Sequence, residues 1–131
     1  MKALSLWQPW AELVARGVKR VETRSWHTRY RGPLAIHAAA RWTAQLSALC
    51  FQPPFRAALQ LHPLQTPHSQ LSFSAVIATV QLVGCIRTED AAAYLGARYE
   101  DELPFGDFGP GRYAWLLMSP LRVYHTCTGR R

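Results

Sequence analysis

Cysteine is scarce in this chain of 131 residues: Cys50, Cys85 and Cys127 are odd in number and far apart. No two of them stand at the spacing of a zinc site or a small secreted disulfide framework, so reduced, mostly buried thiols are expected. Paired histidines are lacking as well. His27, His37, His62, His68 and His125 never recur at i, i+4 on a convincing helix, so no metal and no cofactor are expected. No uncharged apolar run reaches membrane-spanning length, and Met1-Lys2-Ala3 leads into patterned sequence instead of a signal-peptide core. The corresponding expectations are a cytoplasmic location and no membrane partner. The glycine-rich stretch from Gly106 to Gly111 lacks the Gly-Lys-Ser/Thr ending of a phosphate-binding P-loop, which excludes a nucleoside triphosphatase of that kind.

Acidic residues are few in the first half. Over residues 1–56, Lys2, Arg16, Lys19, Arg20, Arg24, Arg29, Arg31, Arg41 and Arg56 face only Glu12 and Glu22, whereas the remainder is balanced. A basic half beside a neutral half is the electrostatic footprint of a polyanion binder, since counterion release drives phosphate contacts. A merely solvated basic face is the plain alternative. With 49% hydrophobic and 18% charged residues the composition is that of a folding chain. Its length suits one domain over residues 1–131.

Residues 3–6 read as a short strand, and Gln8-Pro9 opens a helix over residues 9–16 with Trp10, Leu13 and Val14 at i, i+3, i+4. Pro9 suits its first turn and Gly17 a left-handed cap. Glu12 and Arg16 are expected to pair on its outer face. Residues 21–26 alternate as a half-exposed strand, with Val21, Thr23 and Ser25 on one side and Glu22, Arg24 and Trp26 on the other. Residues 34–37 read as a further strand and 41–49 as a helix that Pro53-Pro54 stops. Residues 60–70, with Pro63 and Pro67 and no periodicity, read as a long surface loop. Residues 75–86 carry the strongest strand signal, with Val76, Ala78, Val80, Leu82 and Ile86 inward. Thr88-Glu89-Asp90 caps a short helix through Leu95, and residues 112–118 and 121–124 read as the last two strands. About six strands and about three helices in irregular alternation predict an α+β fold. Its sheet is expected to be mostly antiparallel or mixed, and curled into a barrel.

Gly17-Val18-Lys19-Arg20-Val21-Glu22-Thr23-Arg24 fits G-x-K-x-x-E-x-R and resembles the signature of the ASCH (ASC-1 homology) domain family. The flanks Leu4-Ser5-Leu6-Trp7-Gln8-Pro9-Trp10-Ala11 and Arg31-Gly32-Pro33-Leu34-Ala35-Ile36-His37-Ala38 resemble those of bacterial members, and Gly111-Arg112-Tyr113-Ala114-Trp115 resembles the family's closing strand. The resemblance covers nearly the whole chain, most closely residues 4–40. It implies a PUA-like β-barrel flanked by helices, a cleft lined by the signature, and an association with RNA or nucleotide ligands. Some similar proteins are ribonucleases. Others are N4-acetylcytidine amidohydrolases whose signature lysine is catalytic and which carry threonine where this chain has Glu22.

Glu22 and Arg24, two apart on a strand, leave the same face with Cα atoms roughly 6 to 7 Å apart. Lys19, at the bend before that strand, has a stem flexible enough to turn toward Glu22. The expected cluster is therefore Lys19, Glu22 and Arg24. In a binding protein, Lys19 and Arg24 would hold phosphate while Glu22 accepts an amino group. In an enzyme, Lys19 and Glu22 would be catalytic, and Lys19→Ala would remove turnover and leave the fold intact. From spacing alone, K-x-x-E-x-R is also an ordinary surface ion-pair ladder. Further candidates are Ser5 and Gln8, with capping as their alternative role, and Arg29 and Arg31 as phosphate contacts. Trp26 either stacks on an unpaired base or packs in the core, while Trp7 and Trp10 are assigned to the core, with stacking as their alternative. Tyr113, sharing a strand face with Trp115, would suit stacking or proton transfer if it stands opposite Lys19, with barrel core as the alternative, and His37 is read as structural, with a general base as the alternative. Three functions follow: a module binding RNA, single-stranded nucleic acid or a nucleotide-like small molecule; a hydrolase acting on RNA or a modified nucleoside; and a protein-docking module.

Overall fold

A run of β-branched and aliphatic residues at positions 75–87 needs cover on both faces, and the fold is laid out around it. The computed structural model describes residues 1–124. Among them are five strands: β1 Lys2–Leu6, β2 Val21–Arg24, β3 Gly32–Ala38, β4 Ala75–Arg87 and β5 Tyr113–Arg122. They form one mixed sheet in the order β1-β3-β4-β5-β2, parallel between β1 and β3 and antiparallel elsewhere. Six short helices accompany it: α1 Trp10–Ala15, α2 Ala44–Leu49, α3 Pro53–Leu59, α4 Pro67–Gln70, α5 Ala91–Leu95 and α6 Arg98–Glu102.

Although β1 and β2 are the two edges of the sheet, Arg24 Nη2 on β2 donates to Ser5 O on β1 at 3.1 Å. The sheet is thus curled until its edges almost meet, and a side chain bridges the seam where a ladder would close a full barrel. Register shifts between Thr79/Gln81 and Leu82/Gly84 bend β4 and increase its twist, as bulges do. A Cβ on Gly84 would lie 2.9 Å from Leu116 Cδ1, so the bare backbone lets β5 close in at the second shift.

Helix α1 fills the hollow of the curl. Ala11, Val14 and Ala15 join Leu4, Leu6, Ile36, Val80, Leu82, Trp115 and Leu117 in the principal core. Leu13, on the far side of α1, packs with Cys50, Phe55, Leu59 and Phe105. Burying each leucine, isoleucine, valine or phenylalanine among them contributes about 1.5–3 kcal/mol. A third cluster, Val21, Ala114 and Leu116, lies on the other face of the sheet against Leu95 and Phe108.

The α+β class and the barrel-like mixed sheet follow the sequence expectation, with several differences in detail. The expected last two strands are one, because β5 continues through Ser119, at φ 55°, and Pro120, and still pairs Leu121 with Thr79. Residues 123 and 124 lie beyond its end. Pro53 and Pro54 do not merely stop a helix. They occupy the first turn of α3, where a missing N–H costs nothing. The 60–70 loop contains α4, capped by Thr66 Oγ1. The alternation assigned to β4 slips at its bulges, so Ile77 is buried while Val76 and Ile86 are half-exposed. Val21, Glu22 and Thr23 are all buried, so β2 is not half-exposed. Glu12 is not on an outer face either. It is 7% exposed and held by Arg16 at 2.7 Å and by a bidentate Arg122 at 2.8 and 2.7 Å. Among the described residues no helix is long and apolar enough to cross a membrane.

Candidate functional site

Gly17 ends α1 with φ 76°, and the amides of Val18 and Lys19 both donate to Leu13 O at 3.1 Å. This tight cap turns the chain back under the helix, so the Lys19 side chain runs inward. The residue is 2% exposed. Its Nζ donates to Val21 O at 2.5 Å and Phe105 O at 3.1 Å, and lies 3.3 Å from Glu22 Oε1. Burial lowers its pKa below the ordinary lysine value, against the opposing pull of Glu22 and Glu102. Glu102, 1% exposed, accepts from the Arg20 amide at 2.9 Å and contacts Arg98 at 3.4 Å, and burial pushes its carboxyl up.

A cleft of about 660 Å³ opens at the seam, lined by Ser5, Leu6, Trp7, Trp10, Glu22, Thr23, Arg24, Pro104, Phe105, Gly106, Asp107 and Arg112. Glu22 Oε2 lies 2.9 Å from Arg24 Nε, but that N–H is not aimed at the carboxylate, so the contact is one of charge more than of hydrogen bonding. Beside them, Arg112 Nε donates to Asp107 O at 3.0 Å and lies 3.5 Å from Asp107 Oδ2, while Nη2 donates to Thr23 O at 3.3 Å. Thr23 Oγ1 accepts from the Asp107 amide at 3.0 Å. The wall therefore alternates acid and base twice, with the Lys19 charge behind it.

The anticipated cluster of Lys19, Glu22 and Arg24 is present as a contact network, yet only Glu22 and Arg24 reach the cleft lining. Ser5 lines it too, with Oγ 3.0 Å from His37 Nδ1. Gln8 does not. It is fully buried, donating from Nε2 to Ser72 O and accepting the Glu12 amide on Oε1, both at 2.9 Å, and so ties α1 to the 72 region. Trp7 is 48% exposed and lines the cleft, contrary to its assignment to the core, whereas Trp10 is half-buried and edge-on to Phe55. Trp26 is 52% exposed and lies beside the cleft, edge-on to Trp115 at 6.3 Å with the Arg24 guanidinium 5.4 Å from its ring. Arg29 and Arg31 are exposed and lie outside the lining, and Arg31 Nη1 donates to Thr28 O and Tyr30 O of its own loop. Tyr113 is not opposite Lys19. It pairs in register with Arg24 and sets its ring edge-on to His27 at 5.5 Å.

Thr23, Phe105, Asp107 and Arg112 are cleft residues that sequence reasoning missed. The available signal was Asp107, whose Oδ1 accepts the Gly109 amide at 3.0 Å in a local turn. That this turn faces β2 depends on pairing across more than eighty residues. Cys50 is a buried thiol whose pKa burial pushes up to about 11, which makes it a poor nucleophile. Among the described residues, no group of three or more His, Cys, Asp or Glu side chains gathers around a point that could hold a metal ion.

A curled mixed sheet plugged by a helix, with the G-x-K-x-x-E-x-R segment walling a cleft at its seam, defines a small barrel-like α+β architecture. The chain belongs to the ASCH domain family, whose sequence model matches residues 4–116. It is similar to activating signal cointegrator 1 of Homo sapiens, with 37% identity over 83 residues, or 63% of this chain and 14% of that protein. The Mus musculus activating signal cointegrator 1 is 36% identical over the same extent. The matched segment thus spans a small part of these relatives' length.

Proposed function

We propose that the chain, as a single ASCH domain over residues 1–131, binds RNA or a nucleotide-like small molecule in the seam cleft. The observation that carries this reading is the doubled acid and base wall, Glu22 with Arg24 and Asp107 with Arg112, beside the exposed indole of Trp7. A nucleotide presents the complement: donors and acceptors on the base edge, a π face, and an anionic phosphate. Arg24 and Arg112 take phosphate or carbonyl oxygens, and Glu22 accepts an exocyclic amino group. Lys19 works from behind, its charge directed at Val21 O, Phe105 O and Glu22, which holds Glu22 in position. The excess of cations over residues 1–56 supplies longer-range attraction. Calorimetric titration with nucleoside monophosphates and single-stranded RNA tests the reading. Binding should weaken with salt and fall roughly tenfold or more in Arg24→Ala, the loss of a charged hydrogen-bonding group. Absence of binding to either class removes it.

A hydrolytic reading is favoured by one observation, the buried Lys19 Nζ 3.3 Å from Glu22 Oε1, since a lysine whose charge is disfavoured by burial can serve as nucleophile or base. It predicts product from RNA or from acetylated nucleosides incubated with the protein, and loss of that product in Lys19→Met. A thermal melt of the variant must accompany the assay, because Lys19 is part of the interior.

A further inference from the structure

A hollow of about 290 Å³ lies where α5 meets β5, and it shares no lining residue with the seam cleft. Leu116 and Leu95 line it, both from the core cluster on the face of the sheet away from α1, and Leu95 fastens α5 to that face. Tyr94, the neighbour of Leu95, stays exposed. So do Met118 on β5 and Val83, the extra residue at the second register shift of β4. Three large apolar side chains left exposed around one hollow mark a surface that something covers.

Among the described residues lining the hollow, Arg20 and Arg98 are the charged ones, and no acid opposes them. Arg20 Nε donates to Gly17 O at 3.0 Å, and Arg98 Nη2 donates to the buried Glu102 Oε2 at 3.4 Å. Each guanidinium is thus fixed by one nitrogen and keeps further N–H groups for a visitor, a preorganised pair for carboxylates. Arg20 has no acidic partner among the described residues. The same two arginines line a second hollow of about 560 Å³ with Val18, Pro54, Ala57 and Ala58. The two hollows adjoin at the arginine pair and together make a groove suited to a length of chain.

The edge of β5 sets the manner of contact. Pairing with β2 ends at Leu117, whose amide donates to Arg20 O at 2.9 Å, so Met118 has a strand beside it on the β4 side only. Ser119 at φ 55° and Pro120, which has no N–H, spoil the free side for an added strand. A visitor is therefore held by side chains lowered into the hollow, and the arginines select its charge. We infer that this groove docks an acidic segment of a partner protein, with one bulky apolar side chain in the sheet-face hollow and carboxylates on Arg20 and Arg98. A second copy of the chain is disfavoured by its net charge of +7. A long polyanion is disfavoured by Glu100 and Asp101, which line the second hollow beside the same arginines.

The test titrates the full chain with short fluorescein-labelled peptides that carry a tryptophan or leucine beside paired aspartates. Matched peptides replace the apolar anchor by serine or the aspartates by asparagine. Fluorescence anisotropy should show the acidic, anchored peptides binding at least roughly tenfold tighter than either match. Tyr94→Ala and Met118→Ala, both at exposed positions, should weaken that binding roughly fivefold or more. Arg20→Gln and Arg98→Gln should remove the preference for aspartate over asparagine and flatten the salt dependence. Amide chemical shifts should move at Val83, Tyr94 and Met118 and stay in place at Trp7, Arg24 and Arg112. Circular dichroism establishes that each variant is folded; should Arg98→Gln fail that check, since it strips Glu102 of a cation, Arg20→Gln carries the charge test. Absence of binding by the acidic peptides, an aspartate preference that outlasts the arginine changes, or shifts confined to the seam cleft overturns the proposal. An oligouridylate that moves the same three amides while the peptides do not overturns it in favour of nucleic acid. Concentration-dependent shifts there in the chain alone overturn it in favour of a second copy.

Discussion

Lys19 is the residue whose role differs most from its appearance in the sequence. The i, i+3 spacing to Glu22 was legible and their contact follows from it. The burial was not legible, because it is produced by Phe105 O, 86 positions away, and by the nearby acid Glu102. A fully buried cation with three polar partners is an interior strut, so Lys19→Ala cannot be treated as leaving the fold intact. Lys19→Met should cost about 3–5 kcal/mol, the cost of breaking a buried ion pair by deleting one partner. Urea unfolding measures it. A variant as stable as the wild type would mean that the lysine adds nothing to the interior. Gln8 is the same lesson in reverse: an amide that read as a cleft group is fully used in joining α1 to Ser72.

At the scale of elements, local chemistry was the better guide to where helices begin and end than to how many there are. Gly17 was legible as a left-handed cap, and it stands at φ 76° with a Cβ position only 3.3 Å from Pro120 Cγ. Gly17→Ala should therefore cost about 1–2 kcal/mol for the left-handed backbone, more if Pro120 cannot yield, and should lower the midpoint of chemical denaturation. Pro53 and Pro54 show why the count failed. A proline pair that cannot continue one helix is preorganised to start another, and only the apolar partners of Phe55 and Leu59 decide which. Short helices such as α4 and α6 carry no periodicity that a sequence reading can count.

At the scale of the whole molecule, Glu12 joins α1 to the end of β5 through Arg122 and stays next to Arg16. Burial alone raises its pKa, but the two arginines outweigh that and hold it below 4.5. A depressed folded pKa adds stability that is present above the unfolded value and is lost as pH falls through the folded one. Stability should therefore drop on acidification below about 4.5, and Glu12→Gln should flatten that limb in urea midpoints taken across pH. Glu102 acts in the opposite sense: its raised pKa adds stability below 4.5 that is lost as pH rises through the folded value. Comparison with Glu12→Gln separates the two. The sequence by itself determined the class of fold, the strands at its centre, the cap that starts the signature and the meeting of Lys19, Glu22 and Arg24, because each depends on neighbours a few residues apart. The tertiary structure alone decided that the sheet curls until β1 meets β2, that Asp107 and Arg112 complete the cleft, and that Trp7 faces outward while Glu12 faces inward. Those outcomes depend on strand order and on contacts between distant segments, which hydrophobic periodicity does not encode.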